Sequence, residues 1–464
     1  MDVKKISLVA PLLAAAATTI AAPLQSSIEL GPWSGAITPT SAVVKAKLMR
    51  EGAIARLIVS KRVDFSEPFS SNTDTASAER NRIVTFFLGN LEPDTTYFLA
   101  PQVDGRTDLN HRARLRTFPL GSGSFSFAFA SCARTASSNR VFTAILENQP
   151  LFYMNIGDFH YLNITNDDRQ EFRAAYDRVL GSPRQGHLYR YVPFVYMWDD
   201  HDYGGNNSGR MAASRVAARL SYQEYMAHYP LAAGRGDVPI YQAFTVGRVR
   251  FILTDLRSER SLTRDPDDSR KSVMGTGQKA WFKRELLAAK GVYPLIFWVS
   301  TVPWLGEPGA EYYPLPRGFR GYIHHSKLPR VENEDREQRQ LAEDHWSIYA
   351  TERREIADFI KSNGIRNVCI LHGDAHMLAA DDGQHSDYAT GGGVRIPVMC
   401  GGPLDQTPSI KGGPYSQGVY LPISGEGCFG LVNVYDLGAR IRVVYSGRND
   451  KNQEKVSLQV EMKP

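Results

Sequence analysis

The pattern of apolar and polar residues divides the chain near residue 120. From residue 27 to residue 118 the two kinds alternate in short runs, such as SAVVKAKLM and ARLIVSK, separated by Gly, Pro and Asp. A period of two between turn residues is typical of antiparallel strands with one face buried. The pattern therefore predicts a small β-sandwich over residues 27–118.

A short tract, PLGSGS at residues 119–124, separates this part from a longer one with a different pattern. Strand-like apolar runs then alternate with helical patterns near 139–148, 170–180, 212–228, 278–289 and 341–362. This alternation predicts a layered α/β domain over residues 125–464, with its sheets between helices and extra strands near the C-terminus. The long polar stretch at 303–339 is expected to be a functional loop.

The first 22 residues have the features of a secretory signal. Lys4 and Lys5 precede a 17-residue apolar stretch that is broken by Pro11 and ends in small residues at Ala21 and Ala22. An uncleaved anchor is the alternative, although the stretch is short for a bilayer span of about 20 residues. No later stretch has the length and apolarity of a membrane span. The mature protein is therefore expected to be secreted, in the periplasm or outside the cell.

Charge and cysteine content exclude two other classes of protein. The 54 basic and 49 acidic residues give a net charge of +5 without a basic cluster, which argues against a nucleic-acid partner. The four cysteines are too few and too widely spaced for a disulfide scaffold. A bond between Cys400 and Cys428 is left open, and Cys132 is set apart by its polar surroundings.

Polar clusters follow six of the predicted strands in the second part. They are SC after FAFA, GDFHY after YMNI, DDHD after VYMW, TDLR after RFIL, ST after FWV and HGDAH after VCIL. Ligands of α/β proteins bind at the carboxyl ends of strands. All six ends are expected to belong to one sheet and to meet at one edge of it.

The densest of these clusters is the run from Asp199 to Asp202, which contains three carboxylates and the imidazole of His201. Such crowding beside a buried strand is costly unless cations or substrate groups compensate the charge. The alternative is a turn whose carboxylates face water. Six clusters at strand ends favour a site that binds polyvalent metal ions.

The GDFHY and HGDAH segments supply further donor atoms. Asp158 directly follows a strand and is suited to bridge two ions, and Tyr161 offers a phenolate, which implies a strongly acidic metal such as ferric iron. His372, Asp374 and His376 have a spacing that suits first-row metals. The alternatives are a packed tyrosine with a satisfied hydroxyl and structural histidines.

The combination of GDFHY, WDDHD followed by two asparagines, and HGDAH resembles the alkaline phosphatase D family, the PhoD-like metallophosphoesterases related to purple acid phosphatases. The resemblance extends from about residue 27 nearly to the C-terminus. It implies a metallophosphoesterase-like α/β/β/α sandwich, and TPTSAVVKAKL with LEPDTTYFLAPQVDG weakly resembles an immunoglobulin or fibronectin-type module. Lys4 and Lys5 stand where bacterial members usually have twin arginines, which argues against export of the folded protein.

The resemblance also implies the ligands of two metal sites. Four residues match the ligands of a ferric iron: Cys132 (thiolate), Asp158 (bridging carboxylate), Tyr161 (phenolate) and His376 (imidazole). Three residues match ligands of the second site, which holds calcium in the family: Asp200, Asn207 and Asp374. The choices between Asp199 and Asp200, and between Asn206 and Asn207, stay open. A buried cysteine that only fills the core is the alternative for Cys132.

His201 matches the family's substrate-facing histidine, and Arg257 stands where an arginine that clamps phosphate is expected. Together these residues imply a secreted hydrolase of phosphate mono- or diesters in which hydroxide on the iron–calcium pair attacks phosphorus. An alternative is a phospholipase D-like phosphodiesterase whose loop at 303–339 shapes a larger pocket. That loop carries Tyr312, Tyr313, Tyr322, His324 and His325. A non-enzymatic adhesion module on a metal-stabilised scaffold is a further alternative.

Overall fold

A computed structural model of the protein describes residues 26–306, 319–324 and 344–463. The predicted signal segment, 1–22, lies outside these ranges. So do most of the predicted loop at 303–339 and three of its residues, Tyr312, Tyr313 and His325. No helix within the described ranges has both the length and the apolar character needed to cross a bilayer.

The N-terminal part consists of antiparallel strands in two sheets. The first sheet has the order β1-β2-β6, and the second is built on β4-β3-β7-β8, with β5 beside β3 and β9 beside β7. The strands are β1 Ile28–Gly35, β2 Ala42–Leu48, β3 Ile54–Ser60, β4 Phe69–Ser70, β5 Asp74–Thr75, β6 Ile83–Leu88, β7 Thr96–Val103, β8 Arg106–Thr107 and β9 Ala113–Arg116.

Alternation along β2 decides which side chains enter this core. Val44, Ala46 and Leu48 are fully buried, and they share one apolar cluster with residues of the second sheet. The cluster continues across the predicted boundary, because the Phe118 ring packs 5.6 Å from Phe152, measured between ring centroids. The domain limits at 118 and 125 therefore stay predictions.

The remaining strands form two larger sheets. One has the order β12-β11-β10-β21-β22-β23, and the other has the order β13-β14-β15-β17-β19-β18-β20-β16. Their bounds are β10 Phe125–Ala130, β11 Phe152–Ile156, β12 Phe194–Met197, β13 Gln242–Val246, β14 Val249–Leu253, β15 Leu295–Val299, β16 Gly321–Ile323, β17 Val368–His372, β18 Leu378–Asp381, β19 Val398–Cys400, β20 Val419–Leu421, β21 Cys428–Asp436, β22 Ile441–Asn449 and β23 Glu454–Met462. Parallel pairing joins β10 to β11 and β11 to β12, and likewise β14, β15, β17 and β19.

The two sheets pack face to face through aromatic side chains. The ring centroid of Phe127, on β10, lies 5.4 Å from those of both Phe251 on β14 and Phe297 on β15. Ile252 and Trp298, which alternate with these residues, belong instead to a second apolar cluster that contains helical residues. Strands β14 and β15 thus present one face to the other sheet and one face to a helical layer, which confirms the layered α/β architecture.

The α-helices within the described ranges are α1 Val141–Glu147, α2 Arg169–Leu180, α3 Pro183–Tyr191, α4 Asp200–Tyr203, α5 Arg215–Tyr225, α6 Gly275–Ala289 and α7 Ala350–Ser362. The segments Ala78–Arg80, Leu109–His111 and Trp346–Tyr349 are 3₁₀ turns. Helix α3 was not predicted, because Gly186 and several polar residues obscure its apolar spacing. Its local signals were Ser182 before the helix and Pro183 at its first position.

The expectation that all six polar clusters end strands of one sheet is wrong. Cys132, Asp158 and Asp199 follow β10, β11 and β12 of the six-stranded sheet, whereas Arg257 and Asp374 follow β14 and β17 of the eight-stranded sheet. Because the sheets pack face to face, their strand ends still meet at one rim. Sequence periodicity identifies strands but does not assign them to a sheet.

Candidate metal centre

Several of the predicted ligands lie in a backbone conformation that residues other than glycine seldom adopt. The φ angles are 63° at Cys132, 56° at Asp158, 56° at Asn207, 59° at Asp374 and 51° at His376. Left-handed backbone is costly for a residue with a Cβ atom and is concentrated at functional sites. The turns after β10, β11 and β17 therefore hold their side chains in place at the expense of local backbone stability.

The thiol, one carboxylate and one imidazole converge at the rim. Donor atoms of Cys132, Asp158 and His376 all lie within 4.8 Å of one another. The Tyr161 hydroxyl donates a 2.6 Å hydrogen bond to Oδ2 of Asp158 and lies 3.1 Å from Nε2 of His376. Nδ1 of His376 lies 2.7 Å from the carbonyl oxygen of Thr407, so Nε2 is the nitrogen directed at the group.

A second concentration of carboxylates adjoins the first. One group combines Asp158, Asp200 and His201, and another combines Asp199, Asp200 and Asp374, each with donor atoms within 4.8 Å of one another. Asp200 belongs to both groups, so it occupies a central position between the carboxylates.

The loop after α4 approaches Asp200 through its backbone. The backbone amide of Asn207 donates a 2.6 Å hydrogen bond to Oδ2 of Asp200, whereas Asn206 is exposed. Asn207 is therefore the asparagine that the loop brings to the carboxylates.

Three carboxylate oxygens at this centre lack a hydrogen-bond partner within the described part of the chain. Oδ1 of Asp158, Oδ2 of Asp199 and Oδ2 of Asp374 are buried and have no hydrogen-bond partner. Buried acceptors are normally satisfied, and each unsatisfied one calls for an explanation. Carboxylate oxygens are ligands that hard cations take. The donor set therefore fits polyvalent cations, with the thiol, phenol and imidazole on one side and carboxylates on the other.

Without cations this arrangement disfavours ionised carboxylates. Burial, followed by repulsion from Asp200 and Asp199, raises the pKa of Asp158 well above its ordinary value. Burial also raises the pKa of Asp374 to about 6, although Lys411 opposes the change. The thiol of Cys132 has its pKa raised by burial and then by Asp158. Bound cations would reverse these directions, because they stabilise the ionised ligands.

Arg257 occupies a different place from the one expected of a phosphate clamp. Its side chain is fully buried, its Nε donates to Asp199 at 2.5 Å, and its two terminal nitrogens donate to Asp344 at 3.0 and 2.7 Å. Arg260 donates to the same carboxylate of Asp344. Arg257 therefore holds Asp199 in place beside the clustered carboxylates, with Asp344 as its second partner.

Two residues near the centre carried no recognisable signal in the sequence. Lys411 lies in a Gly-containing loop and donates from Nζ to Oδ1 of Asp374 at 2.7 Å, with 26% of its side chain exposed. Asn163 contacts Nδ1 of His201 through its side-chain oxygen. The His201 ring packs against the Tyr161 ring in a tilted arrangement, with 4.2 Å between the ring centroids and 37° between the ring planes. It is only partly buried, so it lies at the open side of the centre.

The sequence also left open whether His372 binds metal and whether Cys400 and Cys428 form a disulfide. His372 belongs to none of the donor groups; it is fully buried, with Nε2 3.3 Å from the Tyr415 hydroxyl. Cys400 and Cys428 are both free and buried, on strands of different sheets. The possible disulfide is therefore absent from the described structure.

The layered fold and the donor groups at its rim define an α/β/β/α protein with a candidate site for more than one cation. A family model described as PhoD-like phosphatase matches residues 127–412. The chain belongs to the PhoD-like phosphatase family.

Known relatives agree with this assignment. Alkaline phosphatase D of Bacillus subtilis (strain 168) is 21% identical over 418 residues, which cover 79% of this chain and 64% of that protein. Tartrate-resistant acid phosphatase type 5 of Sus scrofa is 23% identical over 171 residues, which cover 36% of this chain and 47% of that protein. The match thus spans less than two thirds of either relative.

A solved structure of PhoD shares the fold, with a TM-score of 0.71 at 17% identity over 95% of this chain and 93% of that one. None of these comparisons favours the phospholipase D-like alternative.

Proposed function

We propose that this chain is an exported, metal-dependent hydrolase of phosphoric esters. The observation that carries the proposal is the set of unpartnered, buried carboxylate oxygens of Asp158, Asp199 and Asp374 at one rim, beside the thiol of Cys132. Structural carboxylates in a protein interior are paired or hydrogen-bonded. Membership in a phosphatase family supports a phosphoester as the substrate. Export rests on the signal-like segment 1–22.

The donor chemistry supports two different cations. Cys132, Tyr161 and His376, with Asp158, would hold iron, because thiolate, phenolate and imidazole suit a transition metal. Asp200 and Asp374, with Asn207, would hold calcium through oxygen atoms. Asp158 would touch both cations. When bound, such cations lower the pKa of water towards neutrality and stabilise charge on the phosphoryl oxygens.

The chain's own residues orient the substrate and handle its protons. His201 lies at the open side, and Asn163 fixes its ring through Nδ1, which leaves Nε2 for an oxygen of the ester. Lys411 carries positive charge beside Asp374 and is partly exposed, so its ammonium is placed to attract an anionic ester. Arg257 is buried below these two residues, where its ion pairs with Asp199 and Asp344 keep both carboxylates in position.

Elemental analysis and hydrolysis assays on the same preparations test this proposal. Wild-type protein is expected to contain iron and calcium and to hydrolyse p-nitrophenyl phosphate, bis-p-nitrophenyl phosphate or both. Asp158→Asn should lose both metals in part and should lose most of the activity. Asp94→Asn alters an exposed carboxylate that pairs with Arg116 on the N-terminal sheets, and it should behave like wild type.

Two results would contradict the proposal. One is a metal-replete Asp158→Asn protein that hydrolyses both esters at the wild-type rate. The other is a wild-type protein that contains both metals and hydrolyses neither ester, which would favour the metal-stabilised scaffold.

A further inference from the structure

A cavity lies away from the metal centre, between the N-terminal sheet β1-β2-β6 and the helical layer that contains α2 and α5. Its volume is about 540 Å³. The sheet side is formed by residues of β2 and β6, with the segment 72–74 and Arg80 beside them. The helical side is formed by residues of α2, α5 and the segment after α5. None of its lining residues belongs to the donor groups of the metal centre.

The walls of this cavity are fixed by contacts between the sheet and the helices. The Trp33 indole nitrogen donates to the carbonyl oxygen of Tyr225 at 2.9 Å. Nζ of Lys47 lies 2.6 Å from Asp177 of α2. Asn81 donates to the Tyr225 hydroxyl at 2.5 Å. The cavity is therefore a built feature of the fold and not a gap between loosely apposed surfaces.

The cavity carries more positive than negative charge. Its lining contains four cationic side chains, Lys45, Arg80, Arg169 and Arg235, and two carboxylates, Asp74 and Glu224. Burial, as the largest cause, lowers the pKa of His228, which also lines the cavity, so the imidazole adds no charge at neutral pH.

The two carboxylates are already engaged. Arg80 forms a bidentate pair with Asp74, at 3.0 and 2.9 Å, and Glu224 is shared by Arg169 and Arg173. Two cations are therefore left without a carboxylate partner.

Those two cations are Lys45 and Arg235. Lys45 is nearly buried, and its ammonium donates one hydrogen bond, 2.6 Å long, to the carbonyl oxygen of Glu224. Arg235 forms no hydrogen bond or ion pair with any residue in the described ranges. An ammonium has three donors and a guanidinium has five, so both have unused hydrogen-bonding capacity beside the cavity. The buried ammonium of Lys45 would be stabilised by an anion bound next to it.

The rest of the wall is apolar. Val43, Ile83, Leu220 and Met226 line the cavity, and the Phe87 side chain, which also lines it, is 61% exposed. Ile83 and Met226 are buried, whereas Val43, which pairs with Phe87 across the sheet, and Leu220 are partly exposed. An exposed phenyl ring beside partly exposed aliphatic groups is a feature of ligand-binding grooves. The cavity thus combines unpaired cations with an apolar surface.

We propose that this cavity binds a small organic anion that has an apolar body, with its anionic head at Lys45 and Arg235 and its apolar part against Phe87 and Val43. The site is independent of the proposed hydrolysis, because it shares no residue with the metal centre. Burial lowers the pKa of Lys45 to about 8, with Arg80 and Arg235 acting in the same direction and Glu224 and Asp74 opposing it. An anionic head at Nζ would raise that pKa again.

Calorimetric titration of the full, metal-loaded protein with decanoate tests the proposal. Wild-type protein is expected to bind one equivalent, and Arg235→Ala to bind at least tenfold more weakly. Arg235 is exposed and unpaired, so this variant is expected to fold normally. Phe87→Ser should weaken decanoate binding as well. Arg56→Ala is the matched control, because Arg56 is an exposed arginine of β3 that contacts Gln102 and lies outside the cavity lining.

Four results would overturn the proposal. Two of them are that wild-type protein does not bind decanoate, or that Arg235→Ala binds decanoate as tightly as wild type. The other two are that wild type binds the neutral methyl ester as tightly as decanoate, or that excess inorganic phosphate displaces decanoate completely. The last result would place the carboxylate at the metal centre or show that the apolar part contributes nothing. Benzoate, tested in parallel, distinguishes a compact aromatic anion from an alkyl chain as the preferred body.

Discussion

The Tyr161 hydroxyl donates a 2.6 Å hydrogen bond to Oδ2 of Asp158, three residues earlier in the chain. The same hydroxyl lies 3.1 Å from Nε2 of His376, which follows a strand of the other sheet. One phenol thus joins donors from both sheets. Burial, followed by the nearby Asp158, raises the pKa of Tyr161 far above its ordinary value, so in the absence of cations the phenol keeps its proton.

Replacing Tyr161 with phenylalanine should therefore weaken metal binding. Tyr161→Phe is expected to bind iron about tenfold or more weakly, in the range that changes around metal sites produce, and to hydrolyse p-nitrophenyl phosphate correspondingly slowly. Iron content by elemental analysis and activity at several iron concentrations measure the two effects. Tyr435→Phe, which alters an exposed tyrosine of β21, is the control. Unchanged iron affinity in Tyr161→Phe would show that the phenol is not a ligand.

His201 should affect turnover more than metal content. Because its ring lies at the open side of the centre and is fixed by Asn163, we expect it to transfer a proton to or from the ester. His201→Asn should lower kcat by about 10²–10⁴-fold, the range for a general acid or base, and leave iron and calcium content close to wild type. Steady-state kinetics with elemental analysis test this. His187→Asn, on the surface of α3, should be unaffected; loss of metal in His201→Asn would instead make His201 a ligand.

The clusters that contain the candidate donors could be recognised in the sequence because most of them follow apolar strands. Cys132, Asp158 and Asp200 could be placed at strand ends without knowledge of the tertiary structure, since strand ends converge in α/β folds. Lys411 and Asn163 could not be found in this way, because they lie in loops whose paths are set by packing against distant elements. A local pattern contains no information about such paths.

The role of Arg257 shows a second limit. Its position after β14 suggested that its guanidinium faces the substrate. A side chain at a strand end can instead turn into the protein when a buried carboxylate is available to pair with it. Here the buried carboxylate of Asp344, 87 residues later, accepts hydrogen bonds from both terminal nitrogens of Arg257. Local sequence patterns around residue 257 do not predict a contact with a residue so far along the chain.

Arg257 should therefore contribute mainly to stability. Arg257→Met leaves Asp199 and Asp344 buried with fewer partners, and removing one member of a buried ion pair costs about 3–5 kcal/mol. Urea unfolding monitored by circular dichroism should show a loss of this size. Arg50→Met, which removes an exposed pair with Asp104, should change the free energy of unfolding by about 0–1 kcal/mol. An Arg257→Met protein as stable as wild type, but with a raised KM, would restore the phosphate-clamp role.

The metal-free protein should lose stability as the pH rises, in part through Asp202. This carboxylate is fully buried and accepts hydrogen bonds from the backbone amides of His160 and Asp199, at 3.0 and 3.1 Å. Burial nevertheless raises its pKa to about 7. The pKa of an aspartate in an unfolded chain is about 3.9. Between these values the folded protein retains a proton that the unfolded chain has released.

The sign of the effect follows from this difference in bound protons. The contribution of Asp202 to stability is fully present below about pH 4 and is lost as the pH rises through about 7, because the folded state binds more protons in that window. Urea unfolding of chelator-treated protein between pH 5 and pH 8 should therefore show a falling free energy of unfolding. Asp202→Asn cannot titrate and should show a smaller fall. A residual slope is expected in both proteins, since burial raises the pKa of Asp199 to about 8. Parallel curves for wild type and Asp202→Asn would assign the whole pH dependence to other groups, and cations added at pH 8 should restore stability only if the carboxylates bind them.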